Sequence, residues 1–110
     1  MASYEIDRER WADLSIFEQM GNVSSEVGRA IAATRAGKEK RANSAIDRAV
    51  DLLDATVEVL VQRRSPGIKE VLRAREEFLR LFFDGTFEDD ADSIERYFDQ
   101  FAVAARRMRM

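Results

Sequence analysis

The stretch Arg63-Arg64-Ser65-Pro66-Gly67-Ile68 (residues 63–68) decides the fold of this chain. Proline removes a backbone donor and glycine admits left-handed backbone, so a helix arriving here stops and a new one starts. Serine is a good cap and proline is tolerated in a first helical turn, so the new helix is expected to begin at Pro66 with Ser65 capping it. Gly37 lies upstream as a second breaker and Asp84-Gly85 downstream as a third. Together they leave four apolar-periodic segments joined by connections short enough to make each helix run against its predecessor. The expected fold is all-α: an antiparallel up-down-up-down four-helix bundle with a short N-terminal extension.

The first segment, about residues 15–36, opens Ser15-Ile16-Phe17-Glu18, the spacing of a capping box. Its apolar residues, Ile16, Met20, Val23, Val27 and Ile31, recur in steps of three and four, which places them on one helical face. Gly37 stands where a left-handed C-terminal residue is needed. The second segment, about 38–63, carries Ala42, Ala45, Ala49, Leu53, Val57 and Leu60, and its alanines invite close approach of another helix. The third, about 66–83, carries Ile68, Val71, Phe78 and Phe82, with Arg75 on the same stripe. An acidic loop is expected from Thr86 to Ala91, followed by a fourth helix over about 92–108 with Asp92 as its cap. Residues 1–14 form the extension, and Tyr4, Ile6 and Trp11 suit it to pack on a single bundle domain spanning 15–110.

Composition limits the chemistry. The chain has 110 residues, enough for one domain with a real core. It contains no cysteine and no histidine, which removes disulfides, thiolate nucleophiles, histidine general bases and histidine metal sites. A non-enzymatic protein without cofactor is the resulting expectation. No apolar run approaches the roughly eighteen residues that span a bilayer, and the N-terminus lacks a basic and apolar leader pattern. A cytoplasmic protein that does not enter a membrane is expected.

Several segments together resemble a group of short, largely uncharacterised prokaryotic four-helix-bundle proteins. They are Phe17-Glu18-Gln19-Met20-Gly21-Asn22-Val23, Ser25 to Ile31, Arg48 to Thr56, Leu72-Arg73-Ala74-Arg75-Glu76 and Tyr97 to Arg106. The layout is more distantly similar to the accessory variability protein of diversity-generating retroelements. It is also similar to the protein encoded in intervening sequences of bacterial ribosomal RNA genes. The resemblance implies a helical bundle that forms homo-oligomers, and in the accessory variability family a ring that binds a reverse transcriptase and nucleic acid through a basic surface. The present chain departs from that pattern in its net charge of −3.

Four groups of residues are candidates for function. Asp47, Asp51 and Asp54 share a helix face and read as partners for Arg73, Arg75 and Arg80. The alternative is a magnesium-dependent, all-α nucleotide pyrophosphohydrolase using Glu26, Asp51, Asp54, Glu76 and Glu77, although Arg80 stands where a third carboxylate of the usual motif belongs. Glu26 is also expected to pair with Arg75 in a half-buried polar cluster that sets helix register. Folding the helices antiparallel gathers Arg63, Arg64, Lys69, Arg73, Arg106, Arg107 and Arg109 toward one end, a candidate surface for an anion, RNA or DNA. The other end mixes Arg35, Lys38, Lys40 and Arg41 with Glu88, Asp89, Asp90 and Asp92. Finally, Phe82, Phe83, Phe87, Tyr97, Phe98 and Phe101 offer more aromatic surface than one core is expected to bury, which points to self-association. The function expected from these groups is a self-associating adaptor, or a nucleic-acid-associated accessory factor with a protein partner.

Overall fold

The computed structural model describes residues 6–108, with side chains through residue 107. The fold is all-helical and consists of α1 (Arg8–Asp13), α2 (Ile16–Arg35), α3 (Glu39–Gln62), α4 (Ile68–Phe83) and α5 (Phe87–Met108). No strand occurs among the described residues, and none of their helices is long and apolar enough to cross a membrane. Tyr4 and Arg109, named above, lie outside the described residues.

Local chemistry sets most of the helix ends. The Ser15 hydroxyl accepts from the Glu18 N–H at 3.1 Å while the Glu18 carboxylate accepts from the Ser15 N–H at 3.1 Å, so both orphan donors are satisfied. Gly37, at φ +70°, ends α2 by donating to the Thr34 carbonyl while Lys38 donates to Ala33. The same two bonds close α3, from Arg64 to Val61 and from Ser65 to Leu60, but the left-handed residue there is Arg64 at φ +50°.

Two boundaries differ from the expectation. Helix α4 begins at Ile68 rather than Pro66: Ser65 belongs to the closing turn of α3, where its N–H donates to the Leu60 carbonyl. Gly67, at φ +100°, takes the cap position instead. Helix α5 begins at Phe87 rather than Asp92. The Thr86 carbonyl accepts from the Asp89 and Asp90 N–H groups, so the acidic run is the first turn of the helix and not a loop. Carboxylates at a helix N-terminus are favoured by the partial positive charge there, which is why Glu88, Asp89 and Asp90 sit comfortably in that turn.

The tertiary contacts form a closed ring of neighbours. Helix α2 packs on both α3 and α5, α3 on α4, α4 on α5, and α1 on α3. Register can be read from the contacts. Along the α2–α5 seam Gly21 lies against Ala102, the Ser24 hydroxyl donates to Asp99 at 2.7 Å and Arg35 pairs with Asp92, so numbers rise on one helix as they fall on the other. The core is Met20, Val23, Val27 and Ile31 from α2, Leu53 from α3, Phe78 and Leu81 from α4, and Phe98 from α5. Each such side chain stabilises by roughly 1.5–3 kcal/mol relative to exposure.

Helix α1 is fastened by side chains. Asp7 caps it by accepting from the Arg10 N–H at 3.2 Å, and the buried Trp11 indole donates to the Thr56 hydroxyl at 3.2 Å. Gln19, fully buried on α2, donates through Nε2 to the Trp11 and Leu14 carbonyls, while its Oε1 has no partner among the described residues.

The α2–α5 seam distinguishes two glycines. A Cβ on Gly21 would meet the Ala102 backbone at 3.3 Å, whereas one on Gly28 would meet only the flexible tip of Glu95 at 3.4 Å. Chemical denaturation should therefore show Gly28→Ala stabilising by about 0.5–1 kcal/mol, the helix-propensity gain. Gly21→Val should destabilise by about 1–3 kcal/mol, because α5 must be pushed off α2.

Candidate functional site

A buried carboxylate lies between α2 and α3. Glu26 is only 6% exposed and its two oxygens hold two guanidiniums, Arg29 Nη1 at 2.6 Å and Arg48 Nε at 2.5 Å. The expected Glu26–Arg75 pair does not form. Arg75 projects from α4 toward α3 and meets Asp54 at 2.9 Å, while Glu26 faces the α2–α3 seam, where Arg48 reaches it. Arg80 pairs with Asp84 one turn along its own helix. Asp47 and Asp51 make no ion pair among the described residues, so of the three aspartates only Asp54 meets an arginine of α4. Glu26, Asp51, Asp54, Glu76 and Glu77 are not gathered into a metal-holding group. No cluster of three or more potential ligands occurs among the described residues.

Of the basic residues proposed for one end, the described ones, Arg63, Arg64, Lys69, Arg73, Arg106 and Arg107, are exposed, but they are divided among different environments. The Arg63 guanidinium donates to the Ala12 carbonyl and so closes the C-terminus of α1. Lys69 and Arg73 line a groove of about 580 Å³ between α4 and α5, together with Glu70, Glu77 and Tyr97. Arg107 lines a shallow groove of about 960 Å³ with Phe17 and Asp99. Arg64 and Arg106 are solvent-facing. Carboxylates are thus interspersed with the cations in both grooves.

The aromatic residues form a ladder. Ring centroids step from Phe101 to Tyr97 (5.6 Å), to Phe98 (5.4 Å), to Phe78 (6.3 Å), to Phe82 (5.3 Å) and to Phe87 (5.8 Å), mostly edge to face. Phe98 is fully buried, and Phe82, Phe87, Tyr97 and Phe101 are partly buried. Of the six candidates only Phe83 is left out, at 73% exposure. It shares the outer face of α4 with Leu72 (47% exposed) and the half-buried Leu79, near Arg75, Glu76, Arg80 and Asp84.

A further groove, of about 650 Å³, was not foreseen. It runs between the end of α2 and the start of α3 and is lined by Arg29, Lys38, Lys40, Arg41 and Arg48 over an alanine floor. Sequence grouped three of these cations with the acidic run of residues 88–92. In the fold that run belongs to α5, on the other flank of α2, where Arg35 answers it by pairing with Asp92 and lying 5.9 Å from the Phe87 ring centroid. In the sequence these cations are interleaved with Glu39, Asp47 and Asp51, and only the packing of α2 on α3 separates them into a groove of one sign.

No family model, curated protein or solved structure matches this chain.

Two measurements probe these sites. The Tyr97 phenol donates to Glu70 at 3.1 Å, and its pKa is pushed up to about 12 by burial first and then by the Glu70 charge and hydrogen bond, against an opposing pull from Arg73. In a Tyr4→Phe background, absorbance titration should place the remaining tyrosine well above 10.0, and Glu70→Gln should lower that value without restoring 10.0, since burial persists. Because the folded pKa is raised, the associated stability is present below pH 10 and is lost as pH rises toward 12. Separately, Arg64→Gly should stabilise by about 0.5–1 kcal/mol in denaturation. It relieves about 1–2 kcal/mol of left-handed strain and returns about 0.4–1 kcal/mol through the looser unfolded chain.

Proposed function

We propose that this chain is a cytoplasmic, non-enzymatic adaptor whose four long helices run up-down-up-down and which self-associates through the outer face of α4. The observation that carries the proposal is Phe83, at 73% exposure, on one face with Leu72 and Leu79. Those two leucines are seven residues apart, the spacing of a helix seam. Helix α4 already buries Val71, Ala74, Phe78 and Leu81 on its inner side, so its outer stripe is a second apolar face, joined to the core only through the half-buried Leu79.

A second copy is the fitting occupant. The stripe is flanked by Arg75, Glu76, Arg80 and Asp84, both signs alternating along the helix. Two such helices related by a two-fold axis around Leu79 set positive groups of one against negative groups of the other, the self-complementarity an isologous interface requires. The half-buried carboxylates near this surface hold helices together, as Asp54 does with Arg75, which suits a scaffold. The resemblance to oligomer-forming bundles points the same way.

Light scattering after gel filtration tests the proposal. The expected mass is twice the 12.6 kDa of the chain, falling to the single mass for Leu72→Gln combined with Phe83→Ser at unchanged helical content. A wild-type monomer, or an oligomer indifferent to both substitutions, would contradict it.

A further inference from the structure

We propose that the groove between α2 and α3 binds the phosphate backbone of double-stranded nucleic acid. This surface is separate from the α4 face, and neither proposal depends on the other.

The first argument is charge. The chain is acidic overall at −3, yet five cations and no carboxylate line this groove. Arg29 and Arg48 share the buried Glu26, so together they contribute about one net charge. Lys38, Lys40 and Arg41 are exposed and form no ion pair among the described residues. Holding three exposed like charges and two arginines beside each other is unfavourable in the free protein and becomes favourable when a polyanion is present. The negative end of α2 and the positive end of α3 meet here and offset one another, so the side chains set the field.

The second argument is preorganisation. Glu26 is 6% exposed and fixes both guanidiniums through one nitrogen each, leaving their other N–H groups to donate to a ligand. Guanidinium forks held in this way match phosphate oxygens better than mobile side chains do. Arg41 and Arg48 stand seven residues apart on α3, about 10 Å along its axis. That length spans about three phosphates of one strand at 3.4 Å each.

The third argument is shape. The groove is open along its length, so it cannot enclose a small ligand, but it can receive an extended one. Its floor is alanine (Ala32, Ala33, Ala36 and Ala45), and no aromatic ring lines it. Single-stranded nucleic acid is usually held by bases stacked on aromatic rings, and nothing here supplies that. A duplex, with its bases turned inward and its phosphates outward, needs only what the groove contains. Binding of this kind is independent of sequence.

Fluorescence anisotropy with labelled RNA and DNA duplexes tests the assignment. With about three phosphates neutralised, log K should fall against log salt with a slope of about −2.7, which is about forty-fold between about 50 and 200 mM. Lys38→Ala with Arg41→Ala, both at exposed positions, should reduce the slope to about −1 and weaken low-salt binding more than ten-fold. Three outcomes would overturn it. One is no duplex binding at low salt. Another is binding that survives the double substitution but is lost with Arg106→Ala and Arg107→Ala. The third is tighter binding to the single strand or to an acidic peptide than to the duplex.

Discussion

Glu26 sits between α2 and α3 with almost no access to water, and a carboxylate in that position must be held by cations. Two guanidiniums do so, one from its own helix and one from its neighbour. The arrangement fixes how far α2 can slide along α3. It also dictates where Arg29 and Arg48 point, and therefore where the α2–α3 groove keeps its positive charge. Because α2 touches both α3 and α5, a fixed α2–α3 register is passed on to the α2–α5 seam, where Gly21 lets the two backbones approach. Replacing the triad with apolar residues could leave stability intact, but it would free that register and remove the groove's organised donors.

Features governed by near neighbours in sequence were legible there. The Ser15–Glu18 box and the left-handed Gly37 each depend on residues within one turn. So does the apolar periodicity that separates the helices. Junctions carrying competing signals were harder. Ser65, Pro66 and Gly67 can each end or begin a helix, and in the fold Ser65 closes α3 by donating to Leu60 while Gly67 takes the cap of α4. The acidic run at 88–90 has a loop-like composition and also suits a helix N-terminus, and the second property prevailed.

Pairings between distant residues were not legible. Arg48 is 22 positions from Glu26, and Thr56 is 45 from Trp11. Nothing in a single sequence selects those partners from other residues of the same type. The aromatic cluster shows how this affects a functional reading. Six rings packed mostly edge to face from Phe101 to Phe87 occupy more of the interior than a count of helix faces suggests, which leaves Phe83 as the one of the six interface candidates that faces solvent. The basic residues behaved in the opposite way: among those expected to converge, Lys69 and Arg73 lie beside carboxylates, while Lys38, Lys40 and Arg41, counted as mixed, share a groove of one sign.

The fastening of α1 has a consequence for how the molecule opens. Its indole reaches Thr56, its last carbonyls rest on the Gln19 amide and its end is closed by Arg63, so side chains carry the links across to α2 and α3. The Gln19 oxygen gains nothing from the closed arrangement, since it has no partner among the described residues. Release of α1 would return water to that amide while leaving every backbone hydrogen bond of the long helices in place. Local opening of this kind lets amide hydrogens exchange without global unfolding. In its contacts the protein has two layers, four long helices around a shared core and an outer clasp tied to them by the side chains of Trp11, Gln19 and Arg63.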